Sequence, residues 1–318
     1  MHNGNPLASV VIPTRNRPEL VGRAVRSALQ QTLTDLEVIV VVDGPDPATV
    51  SALKVLQDTD SRLRVLPLPQ NRGGSDARNA GIDAAKGKWI ALLDDDDEWM
   101  PQKLEKQLAL GECSSHRYPV ISCKIIGRTP SGDSIYPSRE PFLPFADYAW
   151  RHRGLLQTEG SLYCPTLVAP SALFRECPFT SGLRRHQDWD WVIRAFALPG
   201  VGLEFVSEPL VICHSEEDRG SISATPDWRY SLNWANKKRS HFSPEAYSAF
   251  LLTNLSVSAA KKGEWSGFFL LLTSAFKSGK PRAVHLIQYV FAWLLPMNLR
   301  RLISRLLQGS SEKISERK

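Results

Sequence analysis

Five cysteines in 318 residues, scattered and odd in number, are too few to staple the chain with disulfides. None stands in a C-x-x-C pair, which excludes the usual zinc ribbon or dithiol motif and points to a reducing cytoplasm. The opening Met1-His2-Asn3-Gly4-Asn5-Pro6 lacks a basic n-region, so no secretory leader is expected. Residues 283–297 lack Asp, Glu, Lys and Arg, but fifteen residues fall short of a bilayer. No internal repeat occurs, and only the polar end, 309–318, reads as disordered.

What is present is a chain of ordinary globular composition, 42% hydrophobic and 23% charged. Its net charge of +6 is unevenly spread. From Lys261 to Lys318 eleven Lys and Arg face three Glu, whereas residues 1–260 carry two more acids than bases. A near-neutral body argues against nucleic acid as a ligand, and the basic tail suits an anionic surface such as a membrane.

Apolar runs at 9–12, 36–42, 63–66, 89–93 and 120–126 read as buried strands. Between them, 18–29, 50–56, 74–85 and 101–110 read as helices, the first opened by Pro18. This alternation predicts an α/β fold with a mostly parallel sheet flanked by helices. The Pro- and aromatic-rich stretch 127–160 reads as an insertion shaping a pocket or lid. A strand over 162–169, a helix over 187–198 and a strand over 203–213 follow. After Pro226 the chain reads as a helical appendage.

The densest chemical signal is Asp94-Asp95-Asp96-Asp97, directly after the strand ending in Leu92-Leu93. Clustered carboxylates repel one another unless a cation sits among them, and hard oxygen ligands suit Mg²⁺ or Mn²⁺ with phosphates. Ligands of open α/β sheets bind at the carboxyl ends of strands. Asp97 is expected to cap the following helix. Arg15 and Arg17, after the first strand, can pair with phosphate or stack on a base. Asp43 ends the second strand, where a carboxylate can accept from a base N–H or form a turn with Gly44. Asp188 is flanked by Trp189 and Trp191, whose apolar bulk would raise its proton affinity by desolvation, and Asp190 stands two residues on.

Five segments in order resemble glycosyltransferase family 2, over residues 8 to about 225. They are Val11-Ile12-Pro13-Thr14-Arg15-Asn16-Arg17, Val40-Val41-Val42-Asp43-Gly44, Asn71-Arg72-Gly73-Gly74 with Ala77-Arg78-Asn79-Ala80-Gly81, Leu93-Asp94-Asp95-Asp96-Asp97-Glu98-Trp99, and His186 to Arg194. The resemblance implies a GT-A, Rossmann-like catalytic domain over 1–225. Its nucleotide-sugar part would be 8–126 and its acceptor part 127–225. A helical region over 226–308 and a tail over 309–318 would follow. It implies a non-processive, inverting glycosyltransferase of polysaccharide or glycolipid synthesis. Pro13, Thr14, Arg15, Arg17, Asp43, Gly74, Arg78, Asp94 and Asp95 would hold the donor, a UDP-sugar by expectation. Asp96 and Asp94 would bind Mg²⁺ or Mn²⁺, with His214 as a further candidate, and Asp188 would be the catalytic general base, with Asp190 as the alternative. Where the family usually has two acids and a small residue, this chain has Asp43-Gly44-Pro45-Asp46. The acceptor would be a sugar or a lipid-linked sugar. The apolar stretch with basic flanks over 277–305 would either make peripheral contact with the inner face of the membrane or pack on the catalytic domain or a second copy of the chain.

The alternatives are a sugar-1-phosphate nucleotidyltransferase and an inactive nucleotide-sugar-binding module. The first typically has a Gly-rich loop after strand one, whereas Pro13-Thr14-Arg15-Asn16 has no glycine. A processive synthase would add a Q-x-x-R-W motif and several membrane spans, which this chain lacks.

Overall fold

The computed structural model describes residues 4–130, 132–151, 162–214 and 227–294, which form two compact units. The first unit contains one sheet. Its strands are β1 (Ala8–Thr14), β2 (Leu36–Val42), β3 (Leu63–Pro67), β4 (Trp89–Leu92), β5 (Asp97–Trp99), β6 (Tyr118–Thr129), β7 (Gly132–Tyr136), β8 (Val168–Pro170) and β9 (Val201–His214). Its helices are α1 (Pro18–Leu29), α2 (Pro47–Gln57), α3 (Gly74–Ala84), α4 (Lys103–Glu112), α5 (Ser171–Glu176) and α6 (Gln187–Ala195).

The strand order is β3-β2-β1-β4-β8-β6-β9-β5, with β7 on β6. The first four strands are mutually parallel, as the alternation of strands and helices requires. Beyond β4 the sheet is mixed: β8 runs antiparallel to β4 and to β6, β9 runs parallel to β6, and β5 antiparallel to β9. β5 is a three-residue strand, too short to leave a period in the sequence.

β2 is buried along its whole length, so a continuous apolar run serves it better than an alternating one. On one side Val10, Ile12, Val38 and Val40 meet Val21, Ala24 and Val25 of α1 in the main core. Each such valine or isoleucine contributes about 1.5–3 kcal/mol by leaving water. On the other side α3 lies so close that a Cβ on Gly81 would stand 2.4 Å from Val11 Cγ1. Glu37, buried in β2, is satisfied by Ser9 Oγ (2.7 Å), Lys86 N–H (2.7 Å) and Arg64 (2.6 Å).

β1 pairs with β2 on one side and β4 on the other, in register at Thr14↔Val42 and Val11↔Leu92. The chain reverses its winding there, and the carboxyl ends of all three strands open on one crevice. This brings Thr14, Asp43 and Asp94–Asp96 together from distant parts of the sequence.

The segment expected to be an insertion divides in two. Residues 127–136 make the β6–β7 hairpin, whereas 143–151 belong to the second unit. That unit also holds α7 (Trp228–Lys237), α8 (Pro244–Ala249), α9 (Ser256–Lys261), α10 (Ser266–Ser278) and α11 (Ala283–Leu294). Trp150 sits at its centre, stacked on Phe242 at 5.0 Å and edge-on to Phe250 at 4.9 Å. No helix among the described residues is long and apolar enough to cross a membrane. The expectations for 214–226 beyond His214, for 295–305 and for 309–318 fall outside the described residues.

Candidate active site

A cleft of about 700 Å³ opens at the crevice. Its walls are Pro13, Thr14, Arg15 and Arg17 from the end of β1, Asp43 after β2, Asn71–Gly74 at the start of α3, Asp95 after β4, and Gly182, Leu183, Arg184 and Gln187 before and within α6. Four guanidinium groups against two carboxylates, with the amino end of α3 opening among them, favour a polyanionic ligand of small-molecule size.

Asp43 fixes one wall. Its carboxylate accepts from Arg72 N–H at 2.7 Å, Gly73 N–H at 2.9 Å and Asn71 Nδ2 at 3.1 Å. Asp43 thus ties the loop, as its turn reading expects, and lines the cleft. Gly44 has φ +102°, and a Cβ there would lie 2.8 Å from Asn71 N, so only glycine allows this approach. Gly74 matters by its bareness too: a Cβ would stand 2.8 Å from Gln187 Oε1.

The four aspartates do not act as one cluster. Arg78 Nη2 donates to Asp94 Oδ1 at 2.5 Å, and Arg78 Nη1 donates to Gln187 Oε1 at 2.7 Å. Asp95 accepts from Thr14 Oγ1 at 2.7 Å and from Arg17 Nη1 at 2.9 Å. Burial pushes the Asp95 carboxyl up to about 6, against the pull of Arg17 and Thr14. Asp96 shares Arg17 at 3.4 Å. Asp97 departs from its expected role as a helix cap: it opens β5, paired with Cys213, while Gln102 stands at the amino end of α4 without a side-chain cap.

Asp188 lies in the first turn of α6, half-buried, beside Gln187. Burial pushes its carboxyl up to about 6. The Trp189 N–H (2.8 Å) and the charge of Arg78 hold it down, while the charge of Asp94 adds to the rise. A carboxylate of that affinity suits a proton acceptor near neutrality. Asp190, the alternative base, is fully buried and engaged with Thr180 Oγ1 (2.7 Å) and Arg194 Nε (2.7 Å), which makes it a packing element. His214, the further metal candidate, has its Nε2 2.7 Å from Glu98 Oε1.

Among the described residues, no three His, Cys, Asp or Glu side chains gather to hold a metal. Mg²⁺ and Mn²⁺ can be held by one or two carboxylates, with phosphate and water completing the shell. Asp96 and Asp94, hard oxygen donors at the crevice, fit such an ion. No sequence pattern singles out Gln187, the bridge to Arg78, or Arg184, a wall of the cleft. Only the adjacency of Gln187 to Asp188 hinted at the first.

The model of glycosyl transferase family 2 matches residues 9–174. The chain belongs to this family. It is a glycosyltransferase, which sets aside the nucleotidyltransferase alternative. The amylovoran biosynthesis glycosyltransferase AmsB of Erwinia amylovora is 30% identical over 241 residues, covering 73% of this chain and 78% of AmsB. WfgD of Escherichia coli, a UDP-Glc:alpha-D-GlcNAc-diphosphoundecaprenol beta-1,3-glucosyltransferase, is 35% identical over 104 residues, covering 33% of this chain and 40% of WfgD. The chain spans less than half the length of several curated relatives it matches. The mannosyltransferase PcManGT of Pyrobaculum calidifontis, solved with GDP-Man and Mn²⁺, superposes with a TM-score of 0.55 at 18% identity, over 98% of this chain and 87% of that one. That likeness shows the shared GT-A fold.

Proposed function

We propose that this family 2 member is a non-processive, inverting glycosyltransferase that moves a sugar from a nucleoside-diphosphate donor, UDP-linked by our reading, to a hydroxyl of a sugar or lipid-linked sugar. The observation that carries the reading is the pairing of an arginine-walled cleft with Asp188, a half-buried carboxylate poised near pH 6. Asp43 uses three of its roughly four lone-pair positions on the loop, leaving one for the N–H of a uracil-type base. Arg15, Arg17, Arg72 and Arg184 would receive the diphosphate. A bound Mg²⁺ or Mn²⁺ on Asp96 and Asp94 would neutralise charge on the departing nucleoside diphosphate.

Asp188 would take the proton from the acceptor hydroxyl as its oxygen attacks the anomeric carbon. One base and one leaving group give a single displacement, hence inversion. The acceptor class is supported by AmsB and WfgD, named for polysaccharide synthesis and for a lipid-diphosphate-linked sugar. We place the reaction in the cytoplasm, in keeping with five cysteines that form no disulfide.

The test is calorimetry of nucleoside diphosphates with and without Mn²⁺, on wild type and Asp96→Ala. Binding of uridine diphosphate that needs the metal and is lost in the variant is expected. If no nucleotide binds under any condition, the donor-site reading is wrong. Retention of anomeric configuration in the product would overturn the single displacement.

A further inference from the structure

The helices α10 and α11 are apolar on two opposite faces. Inward, Leu271 and Ala275 of α10 and Tyr289 of α11 are buried, and Phe268 packs on Tyr289 (5.1 Å) and Trp293 (5.4 Å). Outward, Phe269 (69% exposed) and Phe276 (58%) run along α10 behind Trp265 (56%), which caps the helix with its ring against Trp293 (5.2 Å), and Ile287, Phe291 and Leu294 run along α11. The outward spacings of four, seven and three residues keep each set on one helix face. Helices apolar all round are normally covered, and a contiguous exposed patch of this kind marks an interaction surface.

Charge selects the occupant. Lys261 and Lys262 lie just before α10, and Lys277 and Lys280 at its far end, all exposed. Glu264 is the single acid between Ser256 and Leu294, and Arg229 and Trp228 Nε1 engage it. A second copy of this chain would bring the same cations to a two-fold contact and be repelled. An anionic bilayer complements both the lysines and the apolar stripe, and Trp265 suits the interfacial zone. With thirteen residues α10 is too short to span, and no helix among the described residues is long and apolar enough to cross, so this face would lie in the plane of the surface.

We infer that the outer face of α10 and α11 is a docking surface for anionic lipid. The lysines supply long-range attraction and the aromatic stripe inserts at the level of the headgroups. This inference does not depend on the sugar donor, because none of its residues lines the cleft.

The full chain is tested by vesicle flotation, using phosphatidylglycerol–phosphatidylcholine and pure phosphatidylcholine vesicles. The wild type is compared with Lys261→Glu/Lys262→Glu/Lys277→Glu/Lys280→Glu and with Phe269→Ser/Phe291→Ser. Circular dichroism melting confirms that each variant is folded, and the exposed positions chosen make a folded variant the expected result. The wild type should float with the anionic vesicles only, and reversal of the four lysines should lower the partition coefficient on the order of 100-fold or more. The serine variant should lose most of the binding that survives high salt. Failure of the wild type to bind anionic vesicles overturns the inference, as does equal binding to neutral ones. So does a wild-type dimer that the Phe269→Ser/Phe291→Ser variant converts to monomer, which would make this face a contact between copies.

Discussion

Arg78 and Asp94 are joined by a 2.5 Å hydrogen bond across the crevice, while the other Arg78 nitrogen, Nη1, holds Gln187. Arg78 is 9% exposed, and its guanidinium cross-links Asp94, just after β4, to Gln187 of α6. It sets where Asp94 points and lowers the proton affinity of the neighbouring Asp188.

Loss of that charge has a readable consequence. Arg78→Gln removes a cation that opposes the rise of the Asp188 pKa, so the acid limb of kcat/KM should move to higher pH. Leaving Asp94 without its partner should also lower stability by about 2–4 kcal/mol. A pH–rate profile and a denaturation curve check both. An unmoved acid limb would show that Arg78 does not act on Asp188.

Asp188→Asn should lower kcat by about 10²–10⁴-fold with nucleotide binding nearly unchanged. In the wild type, activity should rise with pH through about 6 as the carboxylate forms.

The same group has an opposite effect on stability. Its folded pKa lies above the unfolded value, so the fold favours the protonated form. That contribution is present below about pH 4 and is lost as the pH rises through about 6. Asp188→Asn should therefore melt above wild type at pH 8, by roughly 1–3 kcal/mol, and close to it at pH 4. Thermal scans at the two pH values decide, and a variant less stable at pH 8 would contradict the assigned environment.

Asp190→Asn separates the two aspartates of α6. It weakens a buried ion pair with Arg194, and an expected loss of about 2–4 kcal/mol should appear as a lower melting temperature. Turnover per folded molecule should stay within a few-fold of wild type at permissive temperature. A drop as deep as that of Asp188→Asn would return Asp190 to the list of candidate bases.

Gly44→Ala tests the loop. With φ at +102° and Asn71 N at 2.8 Å from a new Cβ, the turn must shift, at about 1–3 kcal/mol. Isothermal titration should show weakened nucleotide binding, because Asp43 and residues 71–73 move with it.

The first half of this architecture was legible because local and tertiary signals agree in it. The runs at 36–42 and 89–93 are continuous and apolar, as central parallel strands must be, and each ends in the acid that the site uses. The aspartate run was misleading in detail. Read along the chain it is one patch of charge, yet Asp94, Asp95 and Asp97 turn to Arg78, to Thr14 and Arg17, and into β5. Those partners lie far away in sequence, and no spacing rule reaches them. The segment 143–151 escaped for the same reason: its Phe145 and Trp150 look like pocket lining until the distant Phe242 and Phe250 are placed beside them.

Trp150 also imposes an order of events on biosynthesis. It leaves the ribosome long before Phe242 and Phe250, its ring partners, have been translated. The nascent chain must therefore carry a large bare indole through the synthesis of β8 to β9 and on into the carboxyl-terminal helices. A message truncated after residue 214 would release a polypeptide with that aromatic group permanently uncovered, a target for chaperones and proteases.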